Sequence, residues 1–197
     1  MPETKVHRKS KETDIKLLLR FPTTGESKID TGIGFLDHML TLFSKHAGID
    51  MIIEAKGDLE IDAHHTVEDI GICLGKAFAQ LFTDIQQKNR FGHAVIPMDE
   101  ALAEVVIDIS GRPYLYFSAD LPHTKLGTFD IELTEEFFRA FTNHFKITLH
   151  IILRYGKNTH HCIEAIYKAF AKAVAIAIDE NPTYVRFGSS TKGIIDT

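Results

Sequence analysis

The chain has 197 residues, with 22 Lys+Arg against 27 Asp+Glu for a formal charge of −5; without a basic run it is not built for nucleic acid, because phosphate binding needs clustered cations. Apolar residues at 44% and charged residues at 25% exclude a disordered chain and fit one globular domain or two small ones. No apolar stretch reaches the roughly 18 residues of a spanning helix, and Met1 to Lys5 lacks the apolar centre of a secretory leader, so no membrane partner and a cytoplasmic location are expected.

In chain order, Asp14 to Arg20 and Met51 to Ala55 have β-favouring composition, with breaks at Gly25 and at Gly57-Asp58. Between them, Phe35 to Lys45 carries apolar residues at 35, 36, 39, 40 and 43, the spacing of an amphipathic helix. From Val67 the apolar series 67, 70, 74, 78, 81 and 85 predicts a long helix that ends before polar Gln86 to Arg90. In the second half, Phe129 to Leu133 and Lys146 to Leu153 read as strands and Glu135 to Asn143 as a short helix. Positions 163, 166, 170, 174 and 177 there form the core stripe of a second long helix. Cys73 and Cys162 lie within the apolar patterns of the long helices and are expected as buried thiols, not a disulfide.

The compositional anomaly is histidine, with eleven residues. His64-His65-Thr66-Val67-Glu68 and His160-His161-Cys162-Ile163-Glu164 repeat one pattern 96 residues apart. Shuffling this composition gives two such copies on the order of once in a thousand trials. Asp62 and Asn158, both good helix N-caps, precede the pairs by two residues. Lys76-Ala77-Phe78 recurs as Lys168-Ala169-Phe170, and Arg90-Phe91-Gly92 as Arg186-Phe187-Gly188; His38 matches Glu136 and His46 matches His144. The expected fold is therefore α+β and internally duplicated, residues 1–92 and 93–197 forming the repeats. Each half would be a mostly antiparallel or mixed sheet packed against two helices.

A His-His pair at a helix N-terminus is kept neutral by the positive end of the helix dipole and so remains able to ligate a metal. Histidine at i and glutamate at i+3 or i+4 share one helix face, while adjacent histidines diverge by about 100°, so one pair can serve two ions. Mixed imidazole and carboxylate donors without thiolate suit manganese, iron or zinc. His7, His93, His123 and His150 lack such company and are expected to be surface or satisfied core residues.

Five separated segments then carry a resemblance over nearly the whole chain. They are Gly34-Phe35-Leu36-Asp37-His38-Met39-Leu40, Asp62-Ala63-His64-His65-Thr66-Val67-Glu68-Asp69, Asp108-Ile109-Ser110-Gly111-Arg112-Pro113, Lys157-Asn158-Thr159-His160-His161-Cys162-Ile163-Glu164-Ala165 and Ser189-Ser190-Thr191-Lys192-Gly193. Together they make the chain resemble the imidazoleglycerol-phosphate dehydratases. The resemblance implies a lyase of histidine biosynthesis that dehydrates D-erythro-imidazole-glycerol phosphate to imidazole-acetol phosphate, with two Mn2+ ions per site and the substrate imidazolate held between them. It also implies a homo-oligomer, a closed shell of about twenty-four subunits with sites where subunits meet.

Carried over residue by residue, the resemblance assigns His38, His65, Glu68 and one of His160/His161 to one ion. His64, Glu136, the other histidine of the second pair and Glu164 go to the other ion. Many family members have histidine where this chain has Glu136. Arg90, Arg112, Ser190, Thr191 and Lys192 match phosphate-binding positions, Glu12 matches a substrate-contacting carboxylate and candidate acid/base, and His46 lies in a substrate-contacting stretch. A dinuclear phosphate-ester hydrolase and a non-enzymatic metal-clamped protein are the rival readings of the same histidines. Phosphate release would mark the first, metal binding without turnover the second.

Overall fold

The computed structural model describes residues 1–190; Thr191 and Lys192, expected at the phosphate, lie outside the described residues. The first half contains β1 (Glu3–Lys9), β2 (Thr13–Arg20), β3 (Lys28–Asp30), α1 (Gly34–Ala47), β4 (Asp50–Gly57) and α2 (His64–Leu81). The second contains β5 (Phe91–Met98), β6 (Ala101–Asp108), β7 (Tyr114–Ser118), the short pair β8 (Lys125–Leu126) and β9 (Phe129–Asp130), α3 (Leu133–Phe145), β10 (Thr148–Tyr155) and α4 (Thr159–Ile178), followed by α5 (Pro182–Phe187). The fold is α+β, as the alternating patterns required.

The two four-stranded sheets have the same strand order, β1-β2-β4-β3 and β5-β6-β10-β7. In each, the first three strands are antiparallel neighbours and the last pairs parallel. A parallel pair needs a crossover connection, which α1 supplies between β3 and β4 and α3 between β7 and β10. Period-two burial follows: Ile15, Leu17 and Leu19 on β2 and Ala101, Ala103, Val105 and Ile107 on β6 all point inward. The long helices cover those faces, α2 on β1 and β2, α4 on β5 and β6.

Helices then pair across the halves, α1 with α4 and α2 with α3. Phe43 of α1 stacks on Phe170 of α4 with centroids 4.9 Å apart, and Phe78 of α2 meets Phe141 of α3 edge-on at 5.2 Å. All four rings are buried, each contributing about 1.5–3 kcal/mol of transfer free energy. The core is thus one body with the helices between two sheets, and the cross-half pairing of α1 with α4 is what assembles the site described next.

Several expectations need correction. Phe129 to Leu133 is not a five-residue strand: only Phe129–Asp130 is extended, and Leu133 opens α3. Glu135 and Glu136 in the first turn favour that helix start electrostatically. The long helical pattern in the first half runs through Ile85, yet α2 stops at Leu81 and buried Ile85 sits in a 3-10 turn, Ile85–Gln87. Ala63, not Asp62, is the N-cap of α2, although Asp62 Oδ1 accepts from the His64 amide at 2.7 Å. Asn158 does cap α4, accepting from the His161 amide at 3.3 Å. The two Arg-Phe-Gly copies occupy different structures, the start of β5 and the end of α5, although in both the guanidinium lies over the following ring. Both cysteines are free and buried. Among the described residues no helix is long and apolar enough to cross a membrane.

Candidate functional site

Packing of α1 on α4 brings His38 against His160 and Glu164. His38 Nε2 lies 3.5 Å and His160 Nε2 3.2 Å from the same oxygen, Glu164 Oε2. The two imidazole centroids are 5.6 Å apart, and the Phe35 ring supports His160 edge-on at 5.2 Å. Glu164 is a charge on a buried helix face, 7% exposed, and its other oxygen is held by Lys168 Nζ at 2.5 Å, one turn along α4. Burial pushes this carboxyl up, but the Lys168 hydrogen bond and charge, with His38, outweigh it, so the net shift is downward and the group is ionised at neutral pH.

This is the group among the described residues with three donor atoms close enough to share one metal ion. It crosses the expected partition, which put Glu164 on a different ion from His38. Two imidazoles and a carboxylate with no thiolate form a borderline-hard donor set suited to Mn, Fe or Zn. Since Oε1 is taken by Lys168, Oε2 is the oxygen left to ligate, and it is the one facing both rings. The residues present fit a divalent ion, and three protein donors leave coordination positions for further ligands.

The remaining histidines of the two pairs point elsewhere. The rings within each pair are nearly perpendicular, with centroids 6.1 Å apart for His64/His65 and 6.2 Å for His160/His161. His65 Nδ1 donates to Asp58 Oδ2 at 3.0 Å, and its Nε2 lies 4.0 Å from Glu12 Oε1. His161 Nδ1 donates to Glu100 Oε2 at 2.8 Å, and its Nε2 lies 3.8 Å from Asp99 Oδ2. The Asp58 bond raises the pKa of His65, and the Glu100 bond raises that of His161. In return the His161 bond, with the Asn158 amide, brings the Glu100 carboxyl down to about 2.

The other expected ligands do not join the three-residue group. His64 is exposed and Glu68 half-buried at the start of α2. Glu136 on α3 is 3.6 Å from Arg139 Nε, in an intrahelical ion pair. His46, in the last turn of α1, has its pKa lowered by burial and then by Lys172, Lys168 and Lys45, so it is neutral at neutral pH. One of those lysines, Lys168, is the one that grips Glu164.

Of the expected phosphate ligands, Arg90 and Arg112 lie at one end of the second sheet, where β5 begins and β6 ends. Arg90, with φ 68, directs Nε and Nη2 to Asp108 at 2.6 and 3.1 Å. Its carbonyl accepts from the Ile109 amide at 3.1 Å, which ties it to the loop carrying Arg112. Arg112 is exposed, its Nη1 donating to the Ser110 carbonyl at 3.3 Å. Ser190 is half-buried. Arg90 is therefore already paired, while Arg112 presents a largely open guanidinium.

Asp58, Asp99, Glu100, Lys168 and Asp108 were missed from the sequence. The cue for Glu100 was its turn, Met98-Asp99-Glu100-Ala101 between two apolar strands, occupying in the second half the place of the Glu12 turn in the first. Lys168 was visible one helical turn after Glu164.

A sequence model of the family described as imidazoleglycerol-phosphate dehydratase matches residues 31–174. The imidazoleglycerol-phosphate dehydratase of Gluconobacter oxydans is 50% identical over 191 residues, covering 97% of this chain and 96% of its own. That of Pelobacter propionicus is 52% identical over 190 residues, covering 96% and 97%. The crystal structure of the Staphylococcus aureus enzyme matches with a TM-score of 0.83 at 47% identity, covering 91% of this chain and 99% of that one. The Pyrococcus furiosus structure, in complex with (S)-C348, gives 0.83 at 37% identity, covering 96% and 100%.

Proposed function

Because the chain belongs to the imidazoleglycerol-phosphate dehydratase family, and is a dehydratase of histidine biosynthesis, we propose that it dehydrates D-erythro-imidazole-glycerol phosphate to imidazole-acetol phosphate with two divalent ions, manganese foremost. The observation that carries the metal reading is the convergence of His38 Nε2 and His160 Nε2 on Glu164 Oε2, at 3.5 and 3.2 Å. His38, His160 and Glu164 would hold one ion. His64, His65, Glu68, Glu136 and His161 supply donors for the other and for completing each shell. When bound, the ions supply positive charge that favours the deprotonated imidazole of the substrate.

The chain's own groups account for the rest. The reaction breaks a C–H and a C–O bond and releases water, so a base must take the carbon-bound proton and an acid must protonate the departing hydroxyl. Glu12, with a side chain 54% exposed and Oε1 4.0 Å from His65 Nε2, is an accessible carboxylate beside the histidines and serves as that proton carrier. His46, kept neutral by burial and by three lysines, contacts substrate without adding charge. Arg112, with Arg90 and Ser190, binds the phosphate, the guanidinium fork matching its oxygens; Thr191 and Lys192 complete that set.

The test is metal removal with product analysis. Chelator-stripped protein is expected to lose turnover and to regain it with Mn2+, forming imidazole-acetol phosphate and no inorganic phosphate. Phosphate release would indicate a hydrolase instead, and turnover that survives complete stripping would end the metal reading.

A further inference from the structure

Two carboxylates outside the ligand set engage the histidines that occupy matching places in the two halves. Asp58 Oδ2 accepts from His65 Nδ1 at 3.0 Å and Glu100 Oε2 accepts from His161 Nδ1 at 2.8 Å. An ionised carboxylate can only accept, so the neutral ring carries its proton on Nδ1 and its lone pair on Nε2. A ring held in this way by an outer carboxylate is oriented and more basic as a metal ligand. Resting on the two-ion reading above, we propose that Asp58 and Glu100 are positioning residues that fix the tautomer and orientation of His65 and His161 so that each presents Nε2 to a divalent cation.

The halves reach this arrangement by different routes. Glu100 comes from the β5-β6 turn and also accepts from the Lys157 and Asn158 amides at 3.2 and 2.7 Å, so it pins the start of α4 together with the His161 ring. The corresponding β1-β2 turn carries Glu12, which lies on the Nε2 side of His65 and not on the Nδ1 side. Asp58, from the segment joining β4 to α2, takes the Nδ1 position, and its own amide donates to the Glu12 carbonyl at 3.1 Å. Its side chain is mostly buried and its second oxygen has no hydrogen-bond partner among the described residues. The first half thereby keeps its hairpin carboxylate, Glu12, available to substrate, whereas the second half commits Glu100 to holding a ring.

Metal-free wild type, Asp58→Ala, Glu100→Ala, Asp58→Asn and Glu100→Gln would be titrated with Mn2+ against a fluorescent chelator, without substrate. The alanine variants are expected to bind Mn2+ roughly 10- to 100-fold more weakly. The amide variants, whose side-chain oxygen still accepts from Nδ1–H but is uncharged, are expected to lie between them and wild type. Wild-type affinity in the alanine variants overturns the positioning role, and so do amide variants as weak as alanine. If an alanine variant does not fold, its amide counterpart decides, a several-fold loss supporting the role and unchanged affinity overturning it. A wild-type chain that takes up no Mn2+ overturns the two-ion reading itself, which separates the two failures.

Discussion

Glu12 and Glu164 show how environment divides labour between carboxylates of the same chemical type. Glu164 is buried and locked between Lys168 and two imidazoles, so it is a fixed negative charge with one oxygen to offer a cation. Glu12 is exposed at a turn, 4.0 Å from His65 Nε2, and on the proposed reading would move protons. Replacing Glu12 by Gln removes the titratable group but keeps its size and its reach. Turnover is expected to fall by roughly 10²- to 10⁴-fold, the usual contribution of a positioned acid or base, while Mn2+ content measured by elemental analysis stays at the wild-type value. Near-normal turnover would remove Glu12 from the proton-carrying role, and lost metal would make it a ligand.

Between elements, α2 on α3 is the second cross-half contact, beside the packing of α1 on α4 that brings the site together. A Cβ added at Gly71 would lie 2.8 Å from the Phe137 carbonyl oxygen, and one at Gly75 would lie 2.6 Å from that of Phe141. These obstacles are backbone atoms of α3, which cannot rotate away, so the two glycines set how closely the helices approach. Gly75→Ala would gain about 1 kcal/mol of helix propensity, but forcing the helices apart costs typically 1–3 kcal/mol. The variant is expected to be neutral to destabilised by about 2 kcal/mol, with a melting temperature lower by a few degrees at matched protein concentration. A clear rise in melting temperature would show that the helices can relax.

The sequence made this frame partly legible. The apolar stripes at 67, 70, 74 and 78 and at 163, 166, 170 and 174 are written at the helical period, and α2 and α4 bury those residues. The histidine pairs stood out because residue types that rarely cluster appeared twice at one spacing. What the pattern could not carry was anything set between elements. β1 is a charged edge strand with one apolar residue, Val6, so no alternation betrayed it. Phe129 to Leu133 mixes β-favouring residues with a helix start, and local composition does not say where one gives way to the other. The partners Asp58 and Glu100 are 7 and 61 positions from their histidines.

At the scale of the whole molecule, distances along the second sheet bear on how many chains the proposed site would need. Arg90 and Arg112 lie where β5 begins and β6 ends, Phe91 pairing with Asp108, whereas Glu100 and its partner His161 lie at the β5-β6 turn, where Met98 pairs with Ala101. Eight strand residues separate the two ends, about 26 Å at roughly 3.3 Å per residue, farther than a three-carbon phosphate ester attached to an imidazole can reach. On the proposed reading, in which imidazoles hold the substrate ring and the arginines its phosphate, the phosphate ligands would come from another copy of the chain, as the expected closed homo-oligomer would provide. Arg112→Ala and His160→Ala are each expected to be nearly inactive alone. When they are co-refolded in equal amounts, about a quarter of the sites would draw an intact guanidinium from one chain and an intact histidine from another, because random assembly in a symmetric oligomer fills the two positions independently. Activity recovered to that extent in the mixture supports the shared site. If mixed oligomers form, as native mass spectrometry would show, and remain as inactive as either parent, the arginines and histidines of one chain serve the same site and the distance argument fails.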